Sequence, residues 1–223
     1  MQQKTLGLIH TSATLVPVFS ALCNQYLPDI KIFNIVDDSL IKNTIARGML
    51  TPDTARRVVG YARSAEEAGA DHIMFTCSSI GRAVELAAQL VEVPVLRVDQ
   101  PMAAMAVAKA SRIGVVATLS TTLDPTTDLV SRNADRIGKR ILLTPHLCEG
   151  AFDALMAGDG AAHDRIVGDA LRTMADQVDL IVLAQASMAR VVDADPLLGE
   201  KLPILASPPI AMQFLADLFN QGK

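Results

Sequence analysis

The chain contains two copies of one half-domain, and this repeat restricts the fold more than any other feature. Residues 70–84 (ADHIMFTCSSIGRAV) return as residues 178–192 (VDLIVLAQASMARVV), at an offset of about 108 residues. Three further pairs of segments repeat at nearly the same offset, starting at Leu6 and Ile113, at Val59 and Val167, and at Val93 and Leu202. Self-similarity over four blocks indicates that the two halves share one architecture.

The copies differ at one position that can carry chemistry. Ser79 in the first copy matches Ser187 in the second, but Cys77 falls on Gln185. A cysteine in only one of two equivalent places predicts a site that is chemically one-sided.

Short apolar runs alternate with helix-like stretches in each copy. The predicted strands lie near residues 5–10, 30–36, 72–76 and 94–98, and near 112–117, 140–144, 179–184 and 203–206. Alternating strands and helices are typical of parallel sheets covered by helices. The sequence therefore predicts an α/β protein of two pseudo-symmetric Rossmann-like half-domains, each with a four-stranded parallel sheet.

We place the first half-domain at residues 1–100 and the second at residues 101–207. The final helix, 208–223, is a candidate to pack back on the first half. Half of the residues are hydrophobic and only 4% are aromatic. This composition fits buried parallel strands under alanine-rich helices.

Composition also excludes several classes of function. The net charge is −4 with no basic cluster, so nucleic acid is not an expected partner. No apolar run approaches the ~20 residues that span a bilayer, and the first strand follows the N-terminus directly, so neither a membrane partner nor a signal peptide is expected. The three cysteines form no disulfide framework, which favours the cytoplasm. No motif indicates a metal or a nucleotide cofactor, so we expect none.

Parallel sheets bind ligands at the carboxyl ends of their strands. If the halves face each other, these ends converge on one cleft, where we expect the active site. Asp38 and His146 match at the repeat offset, and we expect His146 to follow the second strand of its half. The candidate residues are His10, Ser12, Thr14, Asp38, Cys77, Ser78 and Ser79 in the first copy, and Thr118, Thr121, Thr122, His146, Gln185 and Ser187 in the second.

With these two half-domains, the motifs TCSSIG at 76–81, ATLSTT at 117–122 and LAQASM at 183–188 resemble the aspartate/glutamate racemase superfamily. That superfamily includes hydantoin racemases and arylmalonate decarboxylase. The resemblance implies cofactor-independent chemistry at a carbon next to a carboxylate or carbonyl. Racemases of this kind use one cysteine from each half, on opposite faces of the substrate. Cys77 fits the first position, and Gln185 departs from the second.

Cys77 is the expected acid and base. At a strand–helix turn, amide groups favour the thiolate, so we expect a depressed pKa and selective alkylation. The alternative is that Cys77 is a small buried hydrophobe. Ser78 and Ser79 are expected to bind a substrate oxygen, as is the Gln185 amide, which cannot transfer a proton near neutral pH.

The other candidates have structural alternatives. Ser12, Thr14 and the threonines of 118–122 either bind an anion at a helix N-terminus or cap the helix. His10 and His146 either transfer protons, orient a carbonyl or play structural roles. Asp37 or Asp38 either orients His146, binds a substrate amine or is a solvated turn residue. The remaining expectations are Cys23 in the core, Cys148 in a loop as the rival second cysteine, and His163 at the surface.

Three functions stay open at this point. The first is a cofactor-free racemase-like isomerase that acts on a small carboxylate or carbonyl compound. The second is a one-cysteine lyase of the arylmalonate decarboxylase type, which retains one cysteine in the other half. The third is a catalytically silent protein that binds such a ligand. We also expect a homo-oligomer, because closed symmetric assemblies are the default for such folds.

Overall fold

The computed structural model describes residues 3–221, apart from the side chains of Pro196 and Gln221. Residues 1–2 and 222–223, at the ends of the predicted domain bounds, lie outside the described residues. The chain forms two compact units. The first runs to Val98 and includes the chain again from Ala211, and the second is Asp99–Ile210.

The first unit alternates strands with helices, as the apolar runs predict. Its strands are β1 (Thr5–His10), β2 (Lys31–Val36), β3 (His72–Phe75) and β4 (Val95–Arg97). Its helices are α1 (Leu15–Tyr26), α2 (Ser39–Arg47), α3 (Pro52–Glu67) and α4 (Gly81–Ala87), with a 3-10 helix at Ser78–Ile80.

The second unit repeats this order with more helices. Its strands are β5 (Arg112–Ala117), β6 (Leu142–Leu147), β7 (Leu180–Leu183) and β8 (Ile204–Ala206). Its helices are α5 (Gln100–Lys109), α6 (Ser120–Arg136), α7 (Ala151–Met156), α8 (Gly160–Met174), α9 (Ala189–Ala194) and α10 (Pro196–Lys201), with a 3-10 helix at Ala186–Met188. The last helix, α11 (Ser207–Gln221), runs from the second unit into the first.

Each unit contains one four-stranded parallel sheet, which confirms the predicted fold class. The strand orders are β2-β1-β3-β4 and β6-β5-β7-β8, so the two copies have the same topology. Their registers also correspond, because Ile9 pairs with Phe75 in the first sheet and Val116 with Leu183 in the second. The repeat therefore fixes equivalent positions: Thr11 corresponds to Thr118, and Cys77 to Gln185.

Both faces of each sheet are covered by apolar side chains. In the first unit, α2, α3 and α4 cover one face, and α1 covers the other together with Ala211, Met212 and Leu215 of α11. In the second unit, α5 and α6 cover one face, and α7 to α10 cover the other. The central strands are consequently inaccessible to solvent along most of their length, as expected for parallel strands.

Two duplicated aspartates have a structural role in this fold. Asp71 precedes β3, and its carboxylate accepts a 2.8 Å hydrogen bond from the Thr5 amide at the start of β1. Asp179 precedes β7 and accepts a 3.1 Å bond from the Arg112 amide at the start of β5. Each aspartate satisfies a backbone donor that begins the central strand, which explains its presence in both copies.

The predicted strand near 140–144 is wrong in its bounds. β6 extends to Leu147 and contains Pro145, which pairs in register with Val115. Proline donates no ladder hydrogen bond, but β6 lies at the edge of its sheet, where one side needs no donor. His146 is therefore inside the strand rather than after it. Because Leu147 pairs with Ala117 as Val36 pairs with His10, His146 corresponds to Ile35 and not to Asp38.

Candidate active-site residues

Cys77 lies two residues beyond β3, at the turn that leads into a 3-10 helix and α4. Its backbone is extended (φ −131°, ψ 120°), and the 3-10 helix begins at the next residue, Ser78. The Thr11 and Ser79 hydroxyls and the amides of Ser79 and Ile80 donate hydrogen bonds to the sulfur. The side chain is half-buried against the apolar cluster around Ile9 and Phe75. This is a thiol at a strand end with several donors directed at it.

The predicted depression of the Cys77 pKa is wrong. Burial raises the pKa of the thiol, and the hydrogen bonds from Thr11, Ser79 and Ile80 lower the pKa without reversing that rise. The reason is that charging the sulfur beside apolar side chains costs more than these hydrogen bonds return. Cys77 is therefore a thiol at neutral pH, and its ready form is a proton donor.

A partly buried ion pair supports the helix that follows Cys77. The Arg97 side chain at the end of β4 is only 4% exposed, and it forms an ion pair with Glu85 of α4. A Cβ atom at Gly81 would lie 2.2 Å from Arg97 Cζ, so only glycine allows α4 to approach the guanidinium this closely. Arg97 and Glu85 were not among the candidates, because an ordinary strand and helix pattern does not reveal a buried pair.

Gln185 occupies the equivalent turn in the second unit, with nearly the same backbone (φ −132°, ψ 139°). Its Oε1 accepts hydrogen bonds from the Thr118 amide at 2.6 Å and the Thr118 hydroxyl at 3.0 Å. A backbone amide only donates, so the contacting atom is the oxygen and the NH₂ group points away from Thr118. Among the residues that the structure describes, this NH₂ group has no hydrogen-bond partner. Gln185 therefore offers donors rather than an acceptor.

Thr11 is a functional candidate that the sequence analysis did not select. It is 2% exposed and donates to the Cys77 sulfur, as its counterpart Thr118 donates to Gln185. The signal was present in the repeat, because both threonines directly follow the first strand of their copy. Polar residues at matching places in a duplicated turn were more informative than either residue alone.

His10 is the last residue of β1 and is completely buried. Its Nδ1 lies 2.9 Å from the Thr76 hydroxyl, and its Nε2 lies 2.9 Å from Asn34 Oδ1. Burial lowers the pKa of the imidazole, and the hydrogen bond to Asn34 raises the pKa by less. Both ring nitrogens are occupied by side chains of the same unit. The catalytic role of His10 stays a prediction, and its contacts are those of a structural histidine.

The hydroxyl candidates differ in their surroundings. Ser12 and Thr14 bond to each other at 2.7 Å before α1, and Thr14 is exposed. Ser78 and Ser79 are buried beside Cys77, and Ser187 is half-buried beside Gln185. Thr121 and Thr122 are buried in the first turn of α6. The Thr121 hydroxyl is buried and has no hydrogen-bond partner in the described part of the chain, and its role in binding an anion at this helix N-terminus stays a prediction.

Asp38 and Asp37 separate clearly in the structure. Asp38 is exposed and forms an ion pair with Lys42 one turn later in α2. The Asp37 carboxylate instead accepts hydrogen bonds from Tyr61, Ser39 and Arg57. Burial raises the pKa of Asp37, but these hydrogen bonds and the Arg57 charge lower the pKa below its usual value. Asp37, the alternative to Asp38, is thus the fixed residue of this pair.

The structure places four further residues that the sequence singled out. His146 is exposed on the edge strand β6, and its catalytic role stays a prediction. His163 is completely buried, so its predicted surface position is wrong; its Nδ1 lies 2.7 Å from Asp164 at the start of α8. Cys23 is 3% exposed in the core, as predicted. Cys148 is also buried in the core of its unit, and burial raises the pKa of both thiols to about 11; a role for Cys148 as the rival second cysteine stays a prediction.

The donor set suits an oxygen-rich organic ligand. Hydroxyl groups, backbone amides and one carboxamide lie at the carboxyl ends of β1, β3, β5 and β7. Within residues 3–221, no group of three or more histidine, cysteine, aspartate or glutamate residues is placed to hold a metal ion. That the two sets of residues share one cleft stays a prediction.

Comparison with protein families decides the relationship. The model for Asp/Glu/hydantoin racemases matches residues 6–215, nearly the whole chain. The chain belongs to the Asp/Glu/hydantoin racemase family. Family membership covers both units, including the turns that carry Cys77 and Gln185, and it supports a racemase-like function.

Solved structures of the racemase family share the fold of this chain. A glutamate racemase from Bacillus anthracis has a TM-score of 0.74 at 17% identity, covering 100% of this chain and 84% of the other. An allantoin racemase from Klebsiella pneumoniae has a TM-score of 0.71 at 19% identity, covering 99% and 89%. A glycine-to-cysteine variant of arylmalonate decarboxylase has a TM-score of 0.62 at 17% identity, covering 98% and 94%.

Two negative findings complete the comparison. A search of curated proteins found no significant match to this racemase-family chain. In the described range 3–221, no helix is long and apolar enough to cross a membrane.

Proposed function

We propose that this protein is a cofactor-independent, racemase-like enzyme in which Cys77 transfers a proton at a carbon next to a carboxylate or carbonyl. The observation that carries the proposal is the Cys77 sulfur at the carboxyl end of its strand, with donors from Thr11, Ser79 and Ile80 directed at it. Removing a carbon-bound proton requires a base and donors that stabilise the developing enolate in a dry site. The buried hydroxyls of Ser78 and Thr121 are suited to hold the substrate oxygens.

In the isomerase reaction, the Cys77 thiol first gives up its proton to water, and the resulting thiolate then removes the proton from the carbon. The electron pair of the broken C–H bond moves into the neighbouring carboxylate or carbonyl, forming an enolate. A proton returned to the same carbon restores the carboxylate. Racemisation requires that this proton arrive on the other face, from a second acid.

Racemisation needs a second acid, and each candidate for this role in the chain has a feature that argues against it. Gln185 cannot release a proton near neutral pH, both ring nitrogens of His10 are occupied, and His146 is exposed on an edge strand. We assign Gln185 to hold a substrate oxygen through its NH₂ group. His10 and His146 remain the candidates for the second face if both enantiomers are interconverted.

A specific observation favours a second candidate, the one-cysteine lyase. Burial raises the pKa of Cys77, so the sulfur carries the proton that a lyase must deliver. In that reaction the bond between the carbon and one carboxylate breaks, carbon dioxide leaves, and the electron pair remains as an enolate. Cys77 then donates its proton to the carbon, and the resulting thiolate recovers a proton from water. One thiol is sufficient for this sequence.

Incubation in deuterated water separates these functions. The panel contains glutamate, aspartate, hydantoins and allantoin, after the racemases above, and substituted malonates for the lyase. An isomerase exchanges the substrate proton for deuterium, and a lyase releases carbon dioxide and leaves deuterium in its product. A protein that only binds the compound does neither but has a higher melting temperature in its presence. Cys77→Ala must remove either activity, and turnover that persists in this variant rejects the proposal.

The proposal also includes the setting of the enzyme. We propose a homo-oligomer in the cytoplasm, acting on a small carboxylate or carbonyl compound without a metal or organic cofactor. Light scattering in solution tests the oligomer. Activity that survives dialysis against a chelator supports the cofactor-free reaction, and activity lost with the metal and regained on its return rejects it.

A further inference from the structure

We propose that His10 and Thr76 are positioning residues, whose hydrogen bond ties the ends of β1 and β3 together and thereby holds Thr11 against the Cys77 thiol. The inference rests on the proposed function only in taking Cys77 as the reacting group. It gives the buried histidine a task other than proton transfer to substrate.

The tie is built from buried atoms. His10 Nδ1 and Thr76 Oγ1 are 2.9 Å apart, and both side chains are buried. The Thr76 amide donates to the Ile9 carbonyl at 3.0 Å, so backbone and side-chain bonds join the two strands at the same level. The other ring nitrogen, Nε2, is fixed by Asn34 of β2, and Phe19 packs against the ring at 5.6 Å between centroids.

The two residues of the tie are the immediate sequence neighbours of Thr11 and Cys77. His10 directly precedes Thr11, and Thr76 directly precedes Cys77. The bond therefore lies one residue upstream of both partners of the hydrogen bond between the Thr11 hydroxyl and the sulfur. Any separation of the two strand ends at this level therefore moves the Thr11 hydroxyl away from the Cys77 sulfur.

The second unit shows what happens at this turn without the tie. The positions of His10 and Thr76 are taken there by Ala117 and Ala184, which have no polar side-chain atoms. In that unit Gln185 itself joins the strand ends, through two hydrogen bonds from Thr118. The residue equivalent to Cys77 is thus used as the tie. In the first unit the His10–Thr76 hydrogen bond joins the strand ends one residue earlier, so their separation does not depend only on the bond between Thr11 and the thiol.

The protonation state of His10 suits this arrangement. Burial lowers the pKa of the imidazole, so the ring is neutral at pH 7. A neutral imidazole has one donor and one acceptor. With Nε2–H donating to Asn34 Oδ1, Nδ1 is the acceptor for the Thr76 hydroxyl at 2.9 Å, which is closer than the other acceptor of this hydroxyl, the Ile9 carbonyl at 3.3 Å. Every polar atom of the ring is then satisfied without a charge in the core.

The test measures how the rate of Cys77 alkylation by iodoacetamide depends on pH in the full-length protein. Mass spectrometry follows the reaction. Thr76→Val keeps the shape and removes the hydroxyl, and Thr76→Ser keeps the hydroxyl. Loss of the tie weakens the Thr11 donor, so we expect Thr76→Val to shift the midpoint to higher pH and slow alkylation at pH 8 by about five- to tenfold. Thr76→Ser should stay within about twofold of wild type. Thr126→Val, a buried threonine in α6 of the other unit, is the matched control.

The pH midpoint of alkylation distinguishes a change in the hydrogen bonding of the thiol from a change in its accessibility. A more accessible Cys77 would change the plateau rate at high pH but would not move the midpoint. The His10→Ala/Thr76→Ala double variant copies the pair found in the second unit and leaves no unpaired ring, so it serves if Thr76→Val folds poorly by circular dichroism. A wild-type midpoint in Thr76→Val or in the double variant overturns the proposal. On a confirmed substrate, kcat should fall with KM nearly unchanged. The alkylation midpoint needs no substrate, so failure of the proposed function and failure of this inference remain distinguishable.

Discussion

The turn after β3 and the turn after β7 have the same backbone and opposite chemistry. Cys77 and Gln185 differ by only 1° in φ and 19° in ψ, and each is followed by a 3-10 helix. In both turns the threonine after the first strand donates to the side chain. The two copies therefore share the backbone and the donor, while the group that receives the hydrogen bond is a thiol in one and a neutral amide in the other.

In this duplicated chain the asymmetry lies in side chains and not in the backbone. The fold of each turn depends on strand pairing and helix packing, which the copies share. The chemistry depends on one side chain and on how the strand ends are tied. Changing that residue and its neighbours altered the site without disturbing the sheet.

The largest expected effect comes from removing the reactive side of the comparison. Cys77→Ala should lower kcat at least about a thousandfold on a confirmed substrate, because no other group in its turn exchanges a proton. Circular dichroism should stay unchanged. Cys148→Ala, at a buried cysteine of the second unit, is the control and should retain activity per folded molecule. Equal activity in Cys77→Ala and wild type would contradict the assignment of the acid.

Substitution of Gln185, in the turn after β7, should lower activity less. Two variants separate the role of its NH₂ donor from that of its hydrogen bonds with Thr118. Gln185→Ala loses both the NH₂ donor and the bonds to Thr118. The activation free energy should therefore rise by at most about 2.7–4 kcal/mol, and kcat should fall accordingly. Gln185→Glu keeps an oxygen for Thr118 but has no N–H to donate. We expect it to lose similar activity while keeping its melting temperature. Full activity in Gln185→Glu would show that Gln185 is only a structural tie.

Acid should weaken the first unit through its histidines. Burial lowers the pKa of His10 and of His72, so the unfolded chain, with a pKa near 6.5, takes up protons before the fold does. Their contribution is complete above pH 6.5 and is lost as pH falls through the lowered pKa values. The free energy of unfolding should then fall by up to about 1.4 kcal/mol per pH unit for each histidine. Urea titrations at several pH values measure how steeply the free energy of unfolding falls with pH. This pH dependence should be shallower in His10→Gln, and a pH dependence identical to that of wild type would contradict this origin.

The lowered pKa values of the aspartates act in a different range. Hydrogen bonding and nearby positive charge lower the pKa values of Asp71 and Asp179 below 3.8. Carboxylates of this kind stabilise the fold at higher pH and lose that contribution only as pH falls through the lowered pKa. A loss of stability between pH 6.5 and 5 is therefore a histidine effect.

The smallest expected effect is a gain. The Thr126 hydroxyl in α6 is completely buried and has no hydrogen-bond partner among the described residues. Thr126→Val removes this group at nearly constant volume, so the free energy of unfolding should rise by about 1 kcal/mol. Thr76→Val, in which a bonded hydroxyl is lost, should instead lower it. Thermal melts of the two variants compare the same substitution in the two units, and the same sign for both would reject the hydrogen-bond explanation.

Much of the fold could be predicted because it depends on periodic features. Apolar runs predict the strands, and local chemistry defines a helix start such as that of α3, where Thr51 directly before Pro52 accepts a hydrogen bond from the Thr54 amide. The repeat predicted equal topologies. The β6 strand was misplaced because Pro145 reads as a strand end, and only the position of β6 at the sheet edge makes that proline acceptable.

Residue order and local preference are enough to predict the duplicated α/β architecture, the family and the difference between Cys77 and Gln185. Tertiary structure alone decided the state of each group. The Cys77 pKa is raised rather than depressed, His10 is tied to Thr76 and Asn34, and the Gln185 oxygen is used by Thr118. The physical reason is that burial and hydrogen-bond partners come from strands about 24 to 67 residues apart in the chain, and no local pattern encodes that proximity.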